Sequence, residues 1–546
     1  MFKQSSGGLA GRINDGNVKR WTLIAACFGL FMAILDNLVV NVAMPSMAKD
    51  LEATNTQLQW IVSAYTLIFA SLQITAGGLG DRLGRKRWFM IGLTLFTVTS
   101  GVAALSQSIE MLIVLRALQG LGAAMIMPLS LSLISDAYPP EERGQAVGIW
   151  SAISVSAIAL GPVVGGFLVD YASWHWVFLI NVPIGIIALV VTSAVVRESR
   201  DESGEVATDF PGTILITGAI ASLTYGLIEA GNRGWGDSLI IFMLALAATL
   251  GIGFVIVESK VARPMVPLHF FKSGNFTGAN IDSFFISFMI AGISFFLTLY
   301  QQNIHGYSAV RTGLALLPMV VVMMVFSPLG GMLINRVGPR KLISFGMIIA
   351  GIGGLLLTRA AVEASYLDIL PGLVVLGFGM SFIWAPMTTA MLNSVDSSKS
   401  GVASAINGAI REIGTAFGIA YLGTVANRLY QTSFAADPGI KALRADQPDS
   451  QPLQGIIDMV GHGATLAGSF IYAIPGYDQI GDAVDTIRNA SSIAFVEGMN
   501  RAVVIGSVAL IAASVVSYFL ISDAAHETEP SDVPLPAIEP IPSAAD

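Results

Sequence analysis

Residues 77–87 read Gly-Gly-Leu-Gly-Asp-Arg-Leu-Gly-Arg-Lys-Arg, a charged, glycine-rich stretch between two long apolar runs. A related stretch, Gly-Met-Leu-Ile-Asn-Arg-Val-Gly-Pro-Arg-Lys, occupies residues 331–341. Asp81 of the first copy corresponds to Asn335 of the second. An apolar chain with two related halves is most simply a transporter built from an internal repeat.

The composition places the chain in a membrane. Of its 546 residues, 54% are hydrophobic and 12% are charged, and the mean hydropathy is +0.70. A soluble protein of this length could not bury so much apolar surface. The net charge of -8 gives no sign of nucleic-acid binding. The single cysteine, Cys27, excludes an intrachain disulfide and a cysteine-built metal site.

Fourteen apolar runs have the roughly 17 to 25 residues needed to cross about 30 Å of hydrocarbon as helices. The first run is long enough to span, so we expect a retained helix and not a cleaved signal. Lys and Arg residues favour a topology with both termini in the cytoplasm.

The repeat sets the predicted architecture, because its copies follow the second and the tenth predicted helices. The sequence predicts an all-α integral membrane protein with two six-helix bundles and two inserted helices. The predicted segments are a cytoplasmic N-terminal segment (1–20), a first bundle (21–196), a linker with the inserted helices (197–275), a second bundle (276–521) and a disordered cytoplasmic tail (522–546). The second bundle includes a long outer loop (425–498), for which partial order and a folded cap both remain open.

Asp36 and Arg116 are ionisable residues within apolar runs of the first half. Asp36 lies roughly 22 Å from the cytoplasmic side of its helix and Arg116 roughly 9 Å from the outer side of its own, which puts them at similar depth. A lone charge there costs about 2.5 to 3.5 kcal/mol or more, so we expect the two to pair, with Gln119 completing the network. The pair could carry protons, or it could be a static lock between two helices.

The first loop motif predicts a latch, in which Asp81 meets a helix terminus or another partner at the cytoplasmic face. The alternative is a topology signal, in which its four basic residues only hold the loop inside. Asn335 cannot carry the charge of an aspartate, so the second copy is expected to be a structural hinge at most.

Other polar residues are weaker candidates for a substrate cavity. Asp282 could bind cations or protons, or its side chain could reach the membrane interface. Arg411 is expected in the cavity, whereas Glu412 points about 100° away on the same helix and is expected in packing. The full candidate set is Tyr65, Gln73, Gln119, Asp282, Tyr300, Gln301, Asn407 and Arg411.

Five segments resemble the major facilitator superfamily and, within it, the fourteen-helix drug:proton antiporters of the EmrB/QacA type. They are residues 35–45, 77–87, 116–122, 161–166 and 174–185. Asp36 and Arg116 are the predicted proton-coupling residues, because a buried carboxylate beside a guanidinium can change its proton occupancy as the site opens and closes. The resemblance implies gating by Asp81, Arg82, Arg85, Gly161, Pro162 and Gly165. The last three also have a physical basis, since glycines four apart let helices approach closely and proline bends a helix.

The sequence therefore predicts a multidrug exporter of the bacterial inner membrane that exchanges protons for hydrophobic or cationic small molecules. We expect a monomer in the lipid bilayer, without cofactor or metal. A carrier of lipids, sugars or other metabolites on the same fold is the main alternative. A membrane enzyme or sensor is remote, because the five histidines are scattered and no phosphate-binding loop occurs.

Overall fold

The computed structural model describes residues 15–200, 209–261, 264–448, 450–464, 467–474 and 477–523. Within these residues the chain forms helices and connecting turns, with no β-strand. Residues 524–546 of the predicted tail and residues 1–14 of the predicted N-terminal segment lie outside the described residues. The all-α prediction is confirmed.

The first half forms a bundle that begins with a long helix and ends with a broken one. Its helices are α1 (Asp15–Asp50), α2 (Asn55–Leu83), α3 (Arg85–Ala103), α4 (Ile109–Ala137), α5 (Pro140–Tyr171), α6 (His175–Leu179) and α7 (Asn181–Val195). Two further helices, α8 (Phe210–Arg233) and α9 (Ser238–Glu258), form a hairpin after the first bundle.

The second half repeats this arrangement and adds short helices to it. Its helices are α10 (Gly274–Leu299), α11 (Ala309–Val337), α12 (Pro339–Leu357), α13 (Tyr366–Ser381), α14 (Trp384–Asn393), α15 (Ser400–Ala436), α16 (Pro438–Asp446), α17 (Gln451–His462) and α18 (Ala483–Leu520).

Twelve helical stretches among the described residues are long and apolar enough to cross a membrane, two fewer than the sequence predicted. The two bundle helices outside this set are α3 and α15. Three basic residues open α3, and α15 carries Arg411 and Glu412 among many small residues, which lowers the hydropathy of both. Both nevertheless pack within the bundles, α3 against α4 and α15 against α10.

The two copies of the loop motif form the same turn. Gly84 joins α2 to α3 with φ 117°, and Gly338 joins α11 to α12 with φ 88°. Both angles favour glycine because a side chain would strain the backbone there. A carboxylate caps each following helix: Glu198 accepts from the Lys86 backbone N–H at 3.0 Å, and Asp523 accepts from that of Arg340 at 3.1 Å.

The inserted hairpin contacts both bundles. Thr217 of α8 lies 3.1 Å, hydroxyl to hydroxyl, from Thr75 of α2. In the α8–α9 turn, the Trp235 indole N–H donates to the Thr424 hydroxyl of α15 at 2.8 Å. The hairpin therefore lies along the seam between α2 and α15.

The predicted outer loop is a folded helical cap. Helix α15 extends to Ala436 and α18 begins at Ala483, so both continue beyond the predicted spans. The Tyr430 hydroxyl of α15 donates to the Val460 carbonyl of α17 at 2.8 Å. Apolar side chains form the interior of this cap, among them Ile440, Leu453, Ile457 and Ile487. Helices α16 and α17 thus pack against the extended ends of α15 and α18.

We predict that Gly377→Val will lower the melting temperature of the purified protein by several degrees. A Cβ atom at Gly377 would lie 2.5 Å from the Met319 carbonyl oxygen of α11, and backbone cannot move aside as a side chain can. Overpacking of this kind costs about 1 to 3 kcal/mol. The matched control is Gly251→Val, where a Cβ would meet nothing within 4 Å. Equal melting temperatures for the two variants would contradict the packing.

Candidate functional site

Asp36 and Arg116 form an ion pair inside the first bundle. Arg116 Nη1 donates to Asp36 Oδ2, and both side chains are 0% exposed. Arg116 Nη1 also donates to Gln119 Oε1 at 3.0 Å. The structure thus brings together Asp36, Arg116 and Gln119, whose pairing was predicted from their similar depth and from the cost of burying a lone charge.

Asn181 of α7 completes the cluster, and its role was not predicted from the sequence. Its Nδ2 donates to Asp36 Oδ1 at 2.6 Å and lies 3.0 Å from the Ser100 hydroxyl oxygen. The available signal was an amide within the apolar segment 174–185. Protein groups therefore replace water around both oxygens of Asp36.

Tyr65 places α2 against the same cluster. The Arg116 guanidinium carbon lies 4.3 Å from the centre of the Tyr65 ring, a cation–π distance. Arg116 Nε donates to the Ile61 carbonyl at 3.3 Å, whereas Nη2 has no hydrogen-bond partner. The charge cluster, defined as Asp36, Tyr65, Arg116, Gln119 and Asn181, thus joins α1, α2, α4 and α7.

A small cavity, of about 10 Å³, lies between the two bundles. Its lining includes Gln73 of α2, Trp150 of α5, and Asn407 and Arg411 of α15. Three of the predicted cavity residues therefore do line one cavity. Glu412, which was predicted to pack, does not line this cavity.

The structure places the other cavity candidates elsewhere. Asp282 is 0% exposed in the seam between α10 and α18, where its Oδ2 accepts from the Ser517 hydroxyl at 2.8 Å. Tyr300 and Gln301 line a small pocket beside His305 within the second bundle. Burial lowers the pKa of His305, which favours a neutral imidazole there.

Asp81 joins the two bundles at what we call the motif face, the end of the bundles that carries both loop motifs. Its Oδ1 accepts from the Gly401 backbone N–H at 3.0 Å and its Oδ2 from that of Val402 at 2.9 Å. These groups belong to the first turn of α15, where the helix dipole favours an anion. We refer to this contact between Asp81 and the N-terminus of α15 as the latch.

Arg85 reinforces the latch, whereas Arg82 contacts a different segment. Arg85 Nε donates to Asp81 Oδ1 at 2.8 Å, and its Nη2 donates to the Ser397 carbonyl at 2.5 Å. Arg82 reaches the Pro264 carbonyl at 3.4 Å. A Cβ at Gly77 would lie 2.5 Å from the Gly401 carbonyl oxygen, so α2 and α15 touch through their backbones.

The second motif copy also reaches the opposite bundle. Asn335 Nδ2 donates to the Glu141 carbonyl of α5 at 2.7 Å. Gly331 and Gly144 meet through their backbones beside it. A neutral amide cannot stabilise a helix terminus by charge, but it can still bridge by a hydrogen bond.

Helix α5 packs closely on α1 next to the charge cluster. A Cβ at Gly161 would lie 2.6 Å from Leu38 Cβ, and one at Gly165 would lie 3.2 Å from Val42 Cβ. Pro162 lies between them in the same continuous helix. Movement at this seam would therefore displace the helix that carries Asp36.

The chain belongs to the major facilitator superfamily, whose family model matches residues 26–419. It is 33% identical over 520 residues to the tetracenomycin C resistance and export protein of Streptomyces glaucescens, covering 94% of each chain. It is 37% identical over 405 residues to the multidrug resistance protein Stp of Mycobacterium tuberculosis, covering 74% of this chain and 75% of that one.

Solved structures show the same fold at low sequence identity. The human organic anion transporter MFSD10 matches with a TM-score of 0.59 at 11% identity, over 92% of this chain and 99% of that one. The protein is thus a multi-pass membrane transporter, and its relatives are carriers and not enzymes.

We predict that Asp81→Ala will open the motif face. Hydrogen bonds to a charged group contribute about 1.5 to 3 kcal/mol each, and 1.4 kcal/mol corresponds to a tenfold change in population. The Ser132 and Ser400 hydroxyl oxygens lie 2.8 Å apart across the bundles, so Ser132→Cys with Ser400→Cys in a Cys27→Ser background reports closure. Disulfide formation should be about tenfold slower or more with Asp81→Ala.

Asn335→Ala provides the comparison for the latch, because it removes one neutral hydrogen bond at the same face. It should slow cross-linking less than Asp81→Ala does. Cross-linking at an unchanged rate in the Asp81→Ala protein would refute the latch.

Proposed function

We propose that the protein is a proton-coupled multidrug exporter of the bacterial plasma membrane. The observation that carries this proposal is the charge cluster, because a fully buried carboxylate can alternate between a proton and Arg116 as its neutralising partner. The names of the relatives, which include resistance to tetracenomycin C and multidrug resistance, support export of drug-like molecules.

We propose fourteen membrane helices for this protein. Helices α3 and α15 would join the twelve apolar stretches, because each packs along a spanning helix of its own bundle, α3 on α4 and α15 on α10. The proposed moving units are residues 21–196 and 276–521, with the inserted hairpin between them. The Lys and Arg bias supports a cytoplasmic motif face and cytoplasmic termini.

In the proposed cycle, protonation of Asp36 weakens its hold on Arg116 and changes the packing of α1, α2 and α4. The latch then opens at the motif face, and hydrophobic or cationic molecules reach the cavity between the bundles. Proton release restores the ion pair. The fold provides two related bundles about this cavity, as rocking-bundle transport requires.

Everted vesicles test the proposal directly. Uptake of a panel of drugs should require an imposed proton gradient and should stop when the gradient is collapsed. Gradient-independent uptake, or uptake of a sugar or lipid instead of drugs, would favour the alternative carrier.

Asp36→Asn is expected to abolish gradient-driven export, because an amide cannot exchange a proton. The measurement is drug accumulation in everted vesicles at matched protein levels. Asp485→Asn, at an exposed site in the outer cap, is the matched control and should transport normally. Full proton-coupled transport by Asp36→Asn would exclude this residue from coupling.

Arg116→Ala should change the pH profile of export, because Asp36 then loses the charged partner of its buried ion pair. Arg116→Lys should restore the profile only in part, since an ammonium lacks the planar donor geometry of a guanidinium. A double-mutant cycle of Asp36→Asn and Arg116→Ala should be non-additive. Additive effects would show that the ion pair has no part in transport.

A further inference from the structure

Asp282 is a buried carboxyl to which the described part of the chain offers no cationic partner. Its side chain is 0% exposed. Its Oδ2 accepts from the Ser517 hydroxyl, whereas its Oδ1 has no hydrogen-bond partner among the described residues. Asp36 and Asp81, in contrast, are each paired with a buried arginine. A lone charge inside a membrane bundle is costly, and a carboxyl avoids this cost by holding a proton.

The elements that pack on α10 carry their charged groups elsewhere. Helix α10 has no other titratable residue, and α14 has none. In the half of the second bundle next to the motif face, the titratable groups are His269 and Lys272 before α10, Arg411 and Glu412 of α15, Arg340 and Lys341 of α12, and Tyr518 of α18. Tyr518 is 42% exposed, and the Arg340 guanidinium carbon lies 3.8 Å from its ring centre. Ser517 is therefore the polar partner that the described residues give to Asp282.

Asp282 lies on a glycine-lined face of α10 that meets α18. Gly274, Gly278 and Asp282 follow one another at intervals of four residues, which places them on one side of the helix. A Cβ atom at Gly274 would overlap the Leu520 carbonyl oxygen, and one at Gly278 would lie 3.3 Å from Leu520 Cβ. The two helices thus touch without intervening side chains, so a small movement between them would uncover Asp282.

A cleft of about 600 Å³ opens at the motif-face end of this seam. Its lining includes Asn275 at the start of α10 and Leu520 and Ser522 at the end of α18. Asp282 lies seven residues beyond Asn275, roughly 10 Å deeper along the helix. The cleft is formed by the second bundle and the linker before it. It is therefore separate from the cavity between the bundles and has ample room for water.

We propose that Asp282 and Ser517 form a second proton-binding site, which holds a proton while the α10–α18 seam is closed and exchanges it with the motif face through this cleft when the seam opens. The inference rests on the proposed function and adds a site for the coupling ion in the other bundle. On release, the O–H bond of the carboxyl breaks and the proton passes to water in the cleft, which leaves a carboxylate that still accepts from Ser517.

Infrared spectroscopy of the full-length protein in lipid vesicles tests the protonation, because a neutral carboxyl and a carboxylate absorb at different frequencies. At neutral pH, Asp282→Asn should lose a neutral-carboxyl absorption that the wild type shows. Ser517→Ala should shift this absorption without removing it, since it deletes one hydrogen bond to the carboxyl. Asp485→Asn, at an exposed site in the outer cap, is the control and should leave it unchanged. Identical neutral-carboxyl absorption in the wild type and Asp282→Asn would overturn the proposal.

A reversible disulfide across the seam tests the route. Gly278→Cys with Leu520→Cys in a Cys27→Ser background places the two Cβ atoms close enough to bond. Oxidation should slow deuterium exchange of the Asp282 carboxyl about tenfold or more, and reduction should restore it, because exchange requires the seam to open. The reduced form of the same protein is the matched control. Equal exchange rates in the two forms would overturn the proposed route.

Transport separates this inference from the proposed function. Asp282→Asn should lower by one the number of protons moved for each drug molecule, because an amide cannot exchange a proton. The measurement is simultaneous drug and proton flux in everted vesicles with a pH indicator. An unchanged number would overturn the coupling role of Asp282 and leave the exporter intact. Gradient-independent export by the wild type would instead refute the proposed function, whereas the infrared result at Asp282 would stand.

Discussion

A carboxylate removed from water must be neutralised by protein groups or by a proton, and this constraint shapes the whole first bundle. Asp36 receives a guanidinium and amides from α4 and α7, all inside one bundle. Asp81 receives the first turn of α15, which belongs to the other bundle. The same chemistry therefore stabilises one bundle internally and joins two bundles at their ends.

Helix α2 connects these two buried carboxylates. Its Tyr65 lies against Arg116, and its Asp81 lies roughly 24 Å away at about 1.5 Å of rise per residue. A helix transmits a tilt along its length because its backbone hydrogen bonds keep it stiff. In the proposed cycle, a change of charge at Asp36 alters the support of Tyr65 and so the angle at which Asp81 meets α15. No separate relay of side chains is needed between them.

The sequence predicted the features that follow from strong local costs. The free-energy cost of a lone charge in hydrocarbon predicted the pairing of Asp36 with Arg116. The charged, glycine-rich pattern predicted the repeated loop that ends α2 and α11. Features that depend on distant tertiary contacts were missed. Glu198 and Asp523 cap helices that lie far from them in the sequence. In the sequence, Asn181 is one amide within an apolar segment, and nothing there shows that it binds Asp36. Asp282 contacts α18 and does not line the cavity.

The two halves of the motif face are unequal in energy although they share one pattern. At the α2–α15 contact, the carboxylate of Asp81 accepts hydrogen bonds from the N-terminus of α15 and from the buried Arg85. At the α5–α11 contact, Asn335 provides a neutral hydrogen bond beside the meeting backbones of Gly144 and Gly331. Charge-assisted bonds are roughly twice as strong as neutral ones, so Asp81 stabilises its contact more than Asn335 stabilises its own. The inserted hairpin also covers the α2–α15 seam, where Thr217 of α8 meets Thr75 of α2.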